Sequence, residues 1–331
     1  MSKILVTGGF GFIGSHLVKM FSKEHQVIIY GIDSKERNSL RYFENETHKE
    51  NITHICGSIL DTDKLNFALR DNIDVVIHCA AIAGVSNYFK YPVSTVVTNG
   101  IGTYNVIDLC FKNNIKKTIN ISSSEAYGIS LLTHEVDGQI VFDSSHNHRL
   151  TYSIGKLFGD QLVTAYHKQH NMNVCSIRPF GIWGPGQLGE GFLQIAIRKA
   201  IKNEDIPIVG DGKQTRDWCY IDDFVNAIDM CTNLDPHYAK DVSGKIINVG
   251  DPRSYDTIIN TARSIVDILQ SKSKFTFVER KNVIDTPVRK SNIKTANDIL
   301  EWKPRASFEK SVIETAEWYR NNQVDCENIS F

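Results

Sequence analysis

A short apolar run, Ile4, Leu5 and Val6, stops at Gly8 and Gly9, and a helical pattern carrying Ile13, Leu17, Val18 and Phe21 begins a few residues later. Three spaced glycines, Gly8, Gly11 and Gly14, stand across the junction, with Phe12 and Ile13 between the last two. A strand that turns at once into a helix needs glycine for three reasons: the turn is tight, the helix packs closely on the strand, and bare backbone can approach a pyrophosphate. The first helical turn then offers amide hydrogens to phosphate oxygens. A second strand-like run, Gln26 to Ile32, ends in Asp33, close to the roughly 20-residue offset at which an acid meets a ribose. The combination predicts a dinucleotide site made by Gly8, Gly11, Phe12, Ile13, Gly14 and Asp33. Asp33 would repel a 2′-phosphate, which favours NAD over NADP, whereas Lys35 and Arg37 just beyond it would suit NADP.

The alternation continues. Ile52 to Ile59 reads as a third strand, with Asp61 beyond it as a candidate adenine contact. Asp74 to Cys79 reads as a fourth and leads into Ala80, Ala81, Ile82 and Ala83, small residues that would let backbone lie against a cofactor. His78 ends a buried strand and reads as a packed, hydrogen-bonded residue that helps position the cofactor. Asn99, Gly102 and Thr103 are expected to open an apolar helix through Val106, Ile107, Leu109 and Cys110. Ile119 to Ile121 and Asn173 to Ile177 read as the fifth and sixth strands. Such alternation predicts an α/β fold: a Rossmann-type, doubly wound parallel sheet with ligands at the carboxyl ends of its strands. Residues 1–178 are expected to form the NAD-binding domain, with returns near 217–231 and 246–250. Residues 179–331 would mainly form a smaller, interleaved C-terminal substrate domain.

The fifth strand delivers Ser122, Ser123, Ser124, Glu125, Ala126, Tyr127 and Gly128, and a later helical pattern opens with Tyr152, Ser153, Ile154, Gly155 and Lys156. Tyr152 and Lys156 are four apart, so on a helix they share a face. A free tyrosine has a pKa of about 10, so using it as a base near neutrality means lowering that value by about three, worth about 4 kcal/mol. Lys156 would supply part of this as a neighbouring positive charge, and an oxidised nicotinamide would supply more. With the Ser123 hydroxyl, such a trio removes a proton from a substrate alcohol while a cofactor takes the hydride from the same carbon.

In this order the motifs resemble those of the extended short-chain dehydrogenase/reductases, the NAD-dependent nucleotide-sugar epimerase and dehydratase family. The resemblance spans nearly the whole chain. Arg178 to Gly186 look like the family's passage from the sixth strand into the substrate domain, Gly210 to Asp217 like its diphosphate-binding loop, and Asn248, Val249 and Gly250 like a later strand end. Trp302, Lys303, Pro304, Ser307 and Phe308 resemble its C-terminal signature. The resemblance implies NAD as cofactor, cofactor contacts from Ala80, Ala81, Asn99, Tyr152 and Lys156, a nucleotide-sugar substrate held at its diphosphate by Arg216 and Arg289, and a twofold dimer formed by the helices after Asn99 and around Leu157 to Tyr166. Three positions depart from the family pattern: Gly181 where asparagine is usual, Gly155 where serine is common, and Arg149 where proline is frequent.

Family members are thought to begin by oxidising carbon 4 of the sugar. Glu125 after Ser123 and Ser124 then resembles the carbon 5 base of the dehydratases, which implies a 4,6-dehydratase that eliminates water across carbons 5 and 6. A glutamate here also resembles that of the UDP-glucuronate decarboxylases, and a 4-epimerase and a catalytically idle NAD-binding protein complete the alternatives. Glu125 could instead cap the neighbouring turn. Ser124 stands where the dTDP-glucose dehydratases usually carry an aspartate, so the proton donor for a departing hydroxyl is left unassigned.

Charge does not redirect this reading. The 37 Lys and Arg residues nearly balance the 38 Asp and Glu residues, so no global field favours nucleic acid or an anionic membrane. The seven cysteines, Cys56, Cys79, Cys110, Cys175, Cys219, Cys231 and Cys326, are scattered without a CxxC pair, which argues for reduced core residues rather than a disulfide framework or a metal site. No apolar stretch approaches the roughly 18 residues of a membrane span. A strand beginning at Lys3 leaves no room for a secretory leader. A soluble, cytoplasmic protein is expected.

Overall fold

The computed structural model describes residues 1–34, 37–129, 136, 138–142, 147–189, 191–232, 234, 241–279 and 286–322; Lys35 and Cys326, named above, lie outside the described residues. The chain opens with β1 (Lys3–Thr7), α1 (Phe12–Phe21), β2 (Gln26–Gly31), β3 (Ile52–Cys56), α2 (Thr62–Leu69) and β4 (Val75–His78). It continues through α3 (Val85–Lys90), α4 (Pro92–Val97), α5 (Thr103–Lys112), β5 (Lys117–Ile121), α6 (Leu150–His170) and β6 (Val174–Pro179). Next come α7 (Phe192–Lys202), β7 (Ile206–Val209), β8 (Thr215–Arg216), α8 (Ile221–Thr232) and β9 (Ile246–Val249). The last elements are β10 (Asp256–Thr257), α9 (Ile258–Ile268), β11 (Phe275–Val278), β12 (Val288–Arg289), α10 (Lys294–Leu300) and α11 (Phe308–Asn321).

Seven strands form one parallel sheet in the order β3-β2-β1-β4-β5-β6-β9. Its central strands β1, β4 and β5 are buried on both faces or nearly so because helices cover both. Ile4, Val6, Ile29 and Ile77 pack with Leu17, Val18 and Phe21 of α1 and Phe224 and Ile228 of α8. The alternate residues Leu5, Ile28, Tyr30 and Val76 pack with Leu65 and Leu69 of α2 and Val106 and Ile107 of α5. The order in which strands are added reverses between β1 and β4, which opens a crevice beyond their carboxyl ends.

After β6 the chain leaves the large sheet, and it returns through α8, which packs on α1, and through the seventh strand, β9. What lies between and after these returns builds a three-stranded sheet, β10-β8-β12, and a two-stranded one, β11-β7, with α7, α9 and α11 packed together. Trp302 of the C-terminal signature is buried and donates from its indole to the Asp223 carbonyl (3.1 Å), while the Asp223 carboxylate accepts the backbone N–H groups of Arg305 and Ala306.

Two elements differ from expectation. Strand β3 ends at Cys56 rather than near Ile59, because the Gly57 N–H turns back to the Gly31 carbonyl and a Cβ at 57 would lie 2.4 Å from the Tyr30 hydroxyl oxygen. Because β3 is an edge strand, Cys56 is exposed and not a core residue; Cys79 is half-buried, and Cys110, Cys175, Cys219 and Cys231 are buried. Asn99 and Gly102 do not open a helix. They lie in a turn of π-helix, Thr98–Gly102, that joins α4 directly to α5, so the helical run begins at Pro92, a residue suited to a first helical turn. Among the described residues, no helix is long and apolar enough to cross a membrane.

Candidate active site

At the first strand end, Gly8 has φ of +70°, and a Cβ there would lie 2.8 Å from the backbone of Ala80. A Cβ on Gly14 would lie 2.3 Å from the Gly8 carbonyl oxygen, so these two glycines serve the turn and the helix–strand packing. At Gly11 the nearest obstacle is a single carbonyl oxygen at 3.3 Å, which leaves the open cradle that a pyrophosphate requires. No side chain caps the amino end of α1 and no acid stands in its first turn, so Phe12, Ile13 and Gly14 begin a helix whose dipole faces that cradle. Asp33 is exposed beyond β2 and accepts a hydrogen bond from Asn38 (2.8 Å). Arg37 reaches across to donate to the Ala83 carbonyl (2.9 Å). Asp61 caps α2 by accepting the Lys64 N–H (3.1 Å). These residues fit a dinucleotide, with the acid placed for the adenosine ribose.

The opposite wall is the Ala80–Ala83 loop. Asn99 does not project toward the crevice as a free contact: its buried amide accepts the Ile82 N–H (2.9 Å) and donates to the Ile82 carbonyl (3.0 Å), fixing the loop from behind. The Ala80 N–H is held by the Thr7 hydroxyl (3.1 Å). His78 lies beneath, with Nδ1 2.7 Å from Thr7 Oγ1 and Nε2 3.1 Å from Thr103 Oγ1, and Thr103 donates to the Asn99 carbonyl (2.7 Å). Burial pushes the His78 imidazole down to about 3, so it is neutral, as a packed residue should be.

Strand β5 ends at Ile121 and releases residues 122–128, the candidate catalytic turn. Ser123 caps the short 3-10 turn Ser124–Tyr127 by accepting the Glu125 N–H (3.1 Å), so the capping role considered for Glu125 belongs to Ser123. Tyr152, on α6, is half-buried, and the Ser123 hydroxyl acts on its phenol. Lys156 donates to the Ile121 carbonyl (2.6 Å), and its Nζ lies 5.7 Å from the centre of the Tyr152 ring. Burial pushes the Tyr152 phenol up to about 12, with Ser123 pulling it down and Glu125 adding to the rise. Burial likewise pulls Lys156 down to about 8, opposed by Cys79 and Asp160. The expected lowering of Tyr152 by Lys156 is not achieved by the protein alone: burial raises the phenol, and the Ser123 hydroxyl is what pulls it down. Beside Tyr152 and Lys156, an oxidised nicotinamide would supply further positive charge and a hydride acceptor.

The three departures from the family pattern have local causes. A Cβ on Gly155 would lie 2.8 Å from Asn99 Cβ, so glycine lets α6 close onto the π-helical turn. Gly181 has φ of +50°, and a Cβ there would lie 2.1 Å from the Asp217 carbonyl oxygen, so the backbone itself fills the space of the usual asparagine. Arg149 is buried, with Nη2 3.6 Å from Glu125 Oε1.

Arg289 is drawn to the same carboxylate. Its Nη2 lies 3.5 Å from Glu125 Oε1, and it donates to the carbonyls of Ser124 (2.8 Å) and Gly128 (2.9 Å). Expected at a diphosphate, this buried guanidinium holds the turn here, and Arg216, paired with it across β8 and β12, is half-buried. Burial tends to raise Glu125, but Arg289, Arg149 and Arg216 together outweigh it and hold the carboxyl below its ordinary value. Next to Arg216, buried Asp217 accepts the Ser291 N–H (2.9 Å) and the Ser291 hydroxyl on Oδ2, while Oδ1 has no partner among the described residues. Burial pushes this carboxyl up to about 6, against the pull of Ser291.

Sequence reasoning missed two features. Tyr88 stacks on Tyr152 with ring centres 4.9 Å apart and planes 15° apart, and its hydroxyl accepts the Gly84 N–H (3.2 Å). Asp160 and Arg178 form a buried ion pair (2.7 Å) behind the catalytic turn. The spacing of Asp160, four after Lys156, was the one available signal for the second.

The model of the family described as NAD dependent epimerase/dehydratase matches residues 4–250. UDP-N-acetyl-alpha-D-glucosaminuronate decarboxylase of Bacillus cytotoxicus is 31% identical over 98% of this chain and 99% of its own length. dTDP-D-glucose 4,6-dehydratase of Dictyostelium discoideum is 29% identical over 98% of this chain and 82% of its own. Among solved structures, UDP-glucuronic acid 4-epimerase from Bacillus cereus, in complex with UDP-glucuronic acid and NAD, is similar with a TM-score of 0.82 and 26% identity, covering 96% of this chain and 99% of that one. A decarboxylase, a dehydratase and an epimerase thus match at comparable levels. The chain belongs to the NAD dependent epimerase/dehydratase family, and its cofactor is NAD.

Proposed function

We propose that this protein is an NAD-dependent enzyme that oxidises carbon 4 of a nucleotide-linked uronic acid and releases its carboxyl group as carbon dioxide. Ser123 and Tyr152 meet the carbon 4 hydroxyl, and Tyr152 takes its proton as a phenolate that Lys156 supports. The resulting ketone is β to the carboxylate, so the bond from carbon 5 to the carboxyl carbon can break with its electron pair passing into the ketone as an enolate, and carbon 5 then takes up a proton. The observation that carries this reading is the pair of buried guanidinium groups, Arg149 and Arg289, set against Glu125 on the catalytic turn. Guanidinium forks suit carboxylates and cannot act as acids near neutrality. Decarboxylation needs no proton donor at a departing hydroxyl, and Ser124 is a poor one. The likeness to the Bacillus cytotoxicus decarboxylase supports the same choice and puts UDP-linked uronates first.

A second reading is the 4,6-dehydration expected from Glu125. It is favoured by the location of that carboxylate on the catalytic turn and by its lowered pKa, which keeps the base form present near neutrality. The nucleotide sugar would in either case meet Arg216, and a dimer is the assembly we infer for it. Incubation with UDP-, dTDP- and GDP-linked hexoses and uronates, followed by mass analysis of products, separates the readings. Loss of carbon dioxide from a uronate supports the proposal. Loss of water establishes dehydration, unchanged mass with inverted carbon 4 establishes epimerisation, and no turnover of any substrate establishes an idle NAD-binding protein; each of these would overturn it.

A further inference from the structure

Tyr152, Lys156 and Asp160 follow one another at intervals of four along α6, so one helix face carries the proposed base, its lysine and a buried acid. Asp160 Oδ2 accepts from Ser122 Oγ (2.9 Å) and Arg178 Nε (2.7 Å), and Oδ1 accepts from Ser176 Oγ. Ser122 is the first residue of the catalytic turn, and its N–H is fixed to the Ile177 carbonyl of β6 (2.8 Å). At the other end of the turn, the Arg178 guanidinium lies over the Tyr127 ring, 4.4 Å from its centre, and the Tyr127 hydroxyl donates to Asn248 Oδ1 on β9 (2.9 Å). One ion pair therefore grips both ends of the segment that carries Ser123, Ser124 and Glu125.

A buried ion pair rarely adds to stability over an apolar replacement, because desolvating both charges offsets their attraction, so its placement asks for another explanation. We infer that Asp160 and Arg178 are positioning residues of the reaction: through Ser122 and Tyr127 they hold the catalytic turn in register with α6 and so set the approach of Ser123 to Tyr152. Neither side chain reaches substrate. Lys156 Nζ to the Ile121 carbonyl and Asp160 to the Ser122 hydroxyl cross-link the same helix and strand end at successive levels, so loss of the lower link lets the turn tilt about the upper one. The inference rests on the reading that Ser123 and Tyr152 oxidise carbon 4.

The test compares three variants with the parent protein by NAD affinity, thermal unfolding and steady-state kinetics on the substrate found above, including the isotope effect of deuterium at carbon 4. The double variant Asp160→Asn, Arg178→Met removes both charges together and avoids leaving one buried alone. It is expected to bind NAD within about twofold of the parent yet lose about 10²-fold in kcat with little change in KM, the loss that a small misplacement of reacting groups produces, with a larger isotope effect. Ser122→Ala removes only the link to the turn and should lose about tenfold in kcat at an unchanged unfolding temperature; it carries the test if the double variant does not fold. Parent-like kcat in whichever of these variants is folded and binds NAD overturns the inference. Tyr152→Phe is run beside them: if it stays active the reading of the trio fails, whereas if it is inactive and the others are not, only the positioning role fails.

Discussion

Replacing Asp217 by asparagine should make the protein more stable at neutral pH, by an amount that shrinks as the solution is made acidic. The buried carboxyl binds its proton with a pKa of about 6 in the folded protein, against an ordinary 3.8. The difference is worth about 3 kcal/mol at pH values well above both. Because the folded protein holds this proton more tightly than the unfolded chain, the contribution to stability is fully present below the lower value and is lost as pH rises through the upper one. Linkage with these two values puts the change between about pH 5 and about pH 8 at about 1.4 kcal/mol. Asparagine keeps an oxygen for the two Ser291 donors and places its amide where Oδ1 has no protein partner, which subtracts a roughly constant 1 kcal/mol or so at every pH. Urea unfolding of both proteins at a series of pH values gives the comparison. The gap in favour of the variant should widen with rising pH; a gap that is flat, or that narrows toward pH 8, refutes the argument that the carboxylate is destabilised by burial.

Two further outcomes are expected. Tyr152→Phe should bind NAD normally but turn over at least about 10²-fold more slowly, since the ring that stacks on Tyr88 remains and only the acid–base group is lost; near-normal turnover removes Tyr152 from the reaction. Light scattering should show a dimer, because Ile101 in the π-helical turn, Tyr104 on α5, and Ile154 and Phe158 on α6 leave large apolar side chains exposed on adjoining helices; a monomer across working concentrations counts against it.

Much of the scaffold was legible because it is local. The run Ile4 to Val6, the three glycines and Asp33 lie within one strand–helix–strand unit, where spacing alone determines what can meet. Tyr152 and Lys156 were legible for the same reason, as a helical interval. The arginines were not. Arg289 meets Glu125 across about half of the chain, on a two-residue strand too short to show periodicity, and its family resemblance pointed to phosphate. Arg149 registered only as a departure from pattern, since no local rule says that a residue before a helix will face a turn formed much earlier. The π-helical turn was hidden because Asn99, Gly100 and Gly102 look like the start of a helix, and only the packing of Gly155 against Asn99 shows why the helix widens there. The register of Asp160 was visible, but its partners Ser122, Ser176 and Arg178 come from two other strand ends.

The hydrogen bonds beneath the Ala80–Ala83 loop can be drawn in only one direction. The Ala80 amide can only donate and the Asn99 carbonyl can only accept. The single Thr103 hydrogen goes to that carbonyl, so Nε2 of His78 must carry the hydrogen that Thr103 receives, and the neutral ring then accepts the Thr7 proton at Nδ1. The imidazole tautomer is thus dictated by the backbone carbonyl at one end of a four-bond relay, and reversing it would leave no hydrogen between Nε2 and Thr103. Polarity in this relay runs from the cofactor wall into the helix behind it, a built-in orientation that neither solvent acidity near neutrality nor the arrival of a ligand has to establish.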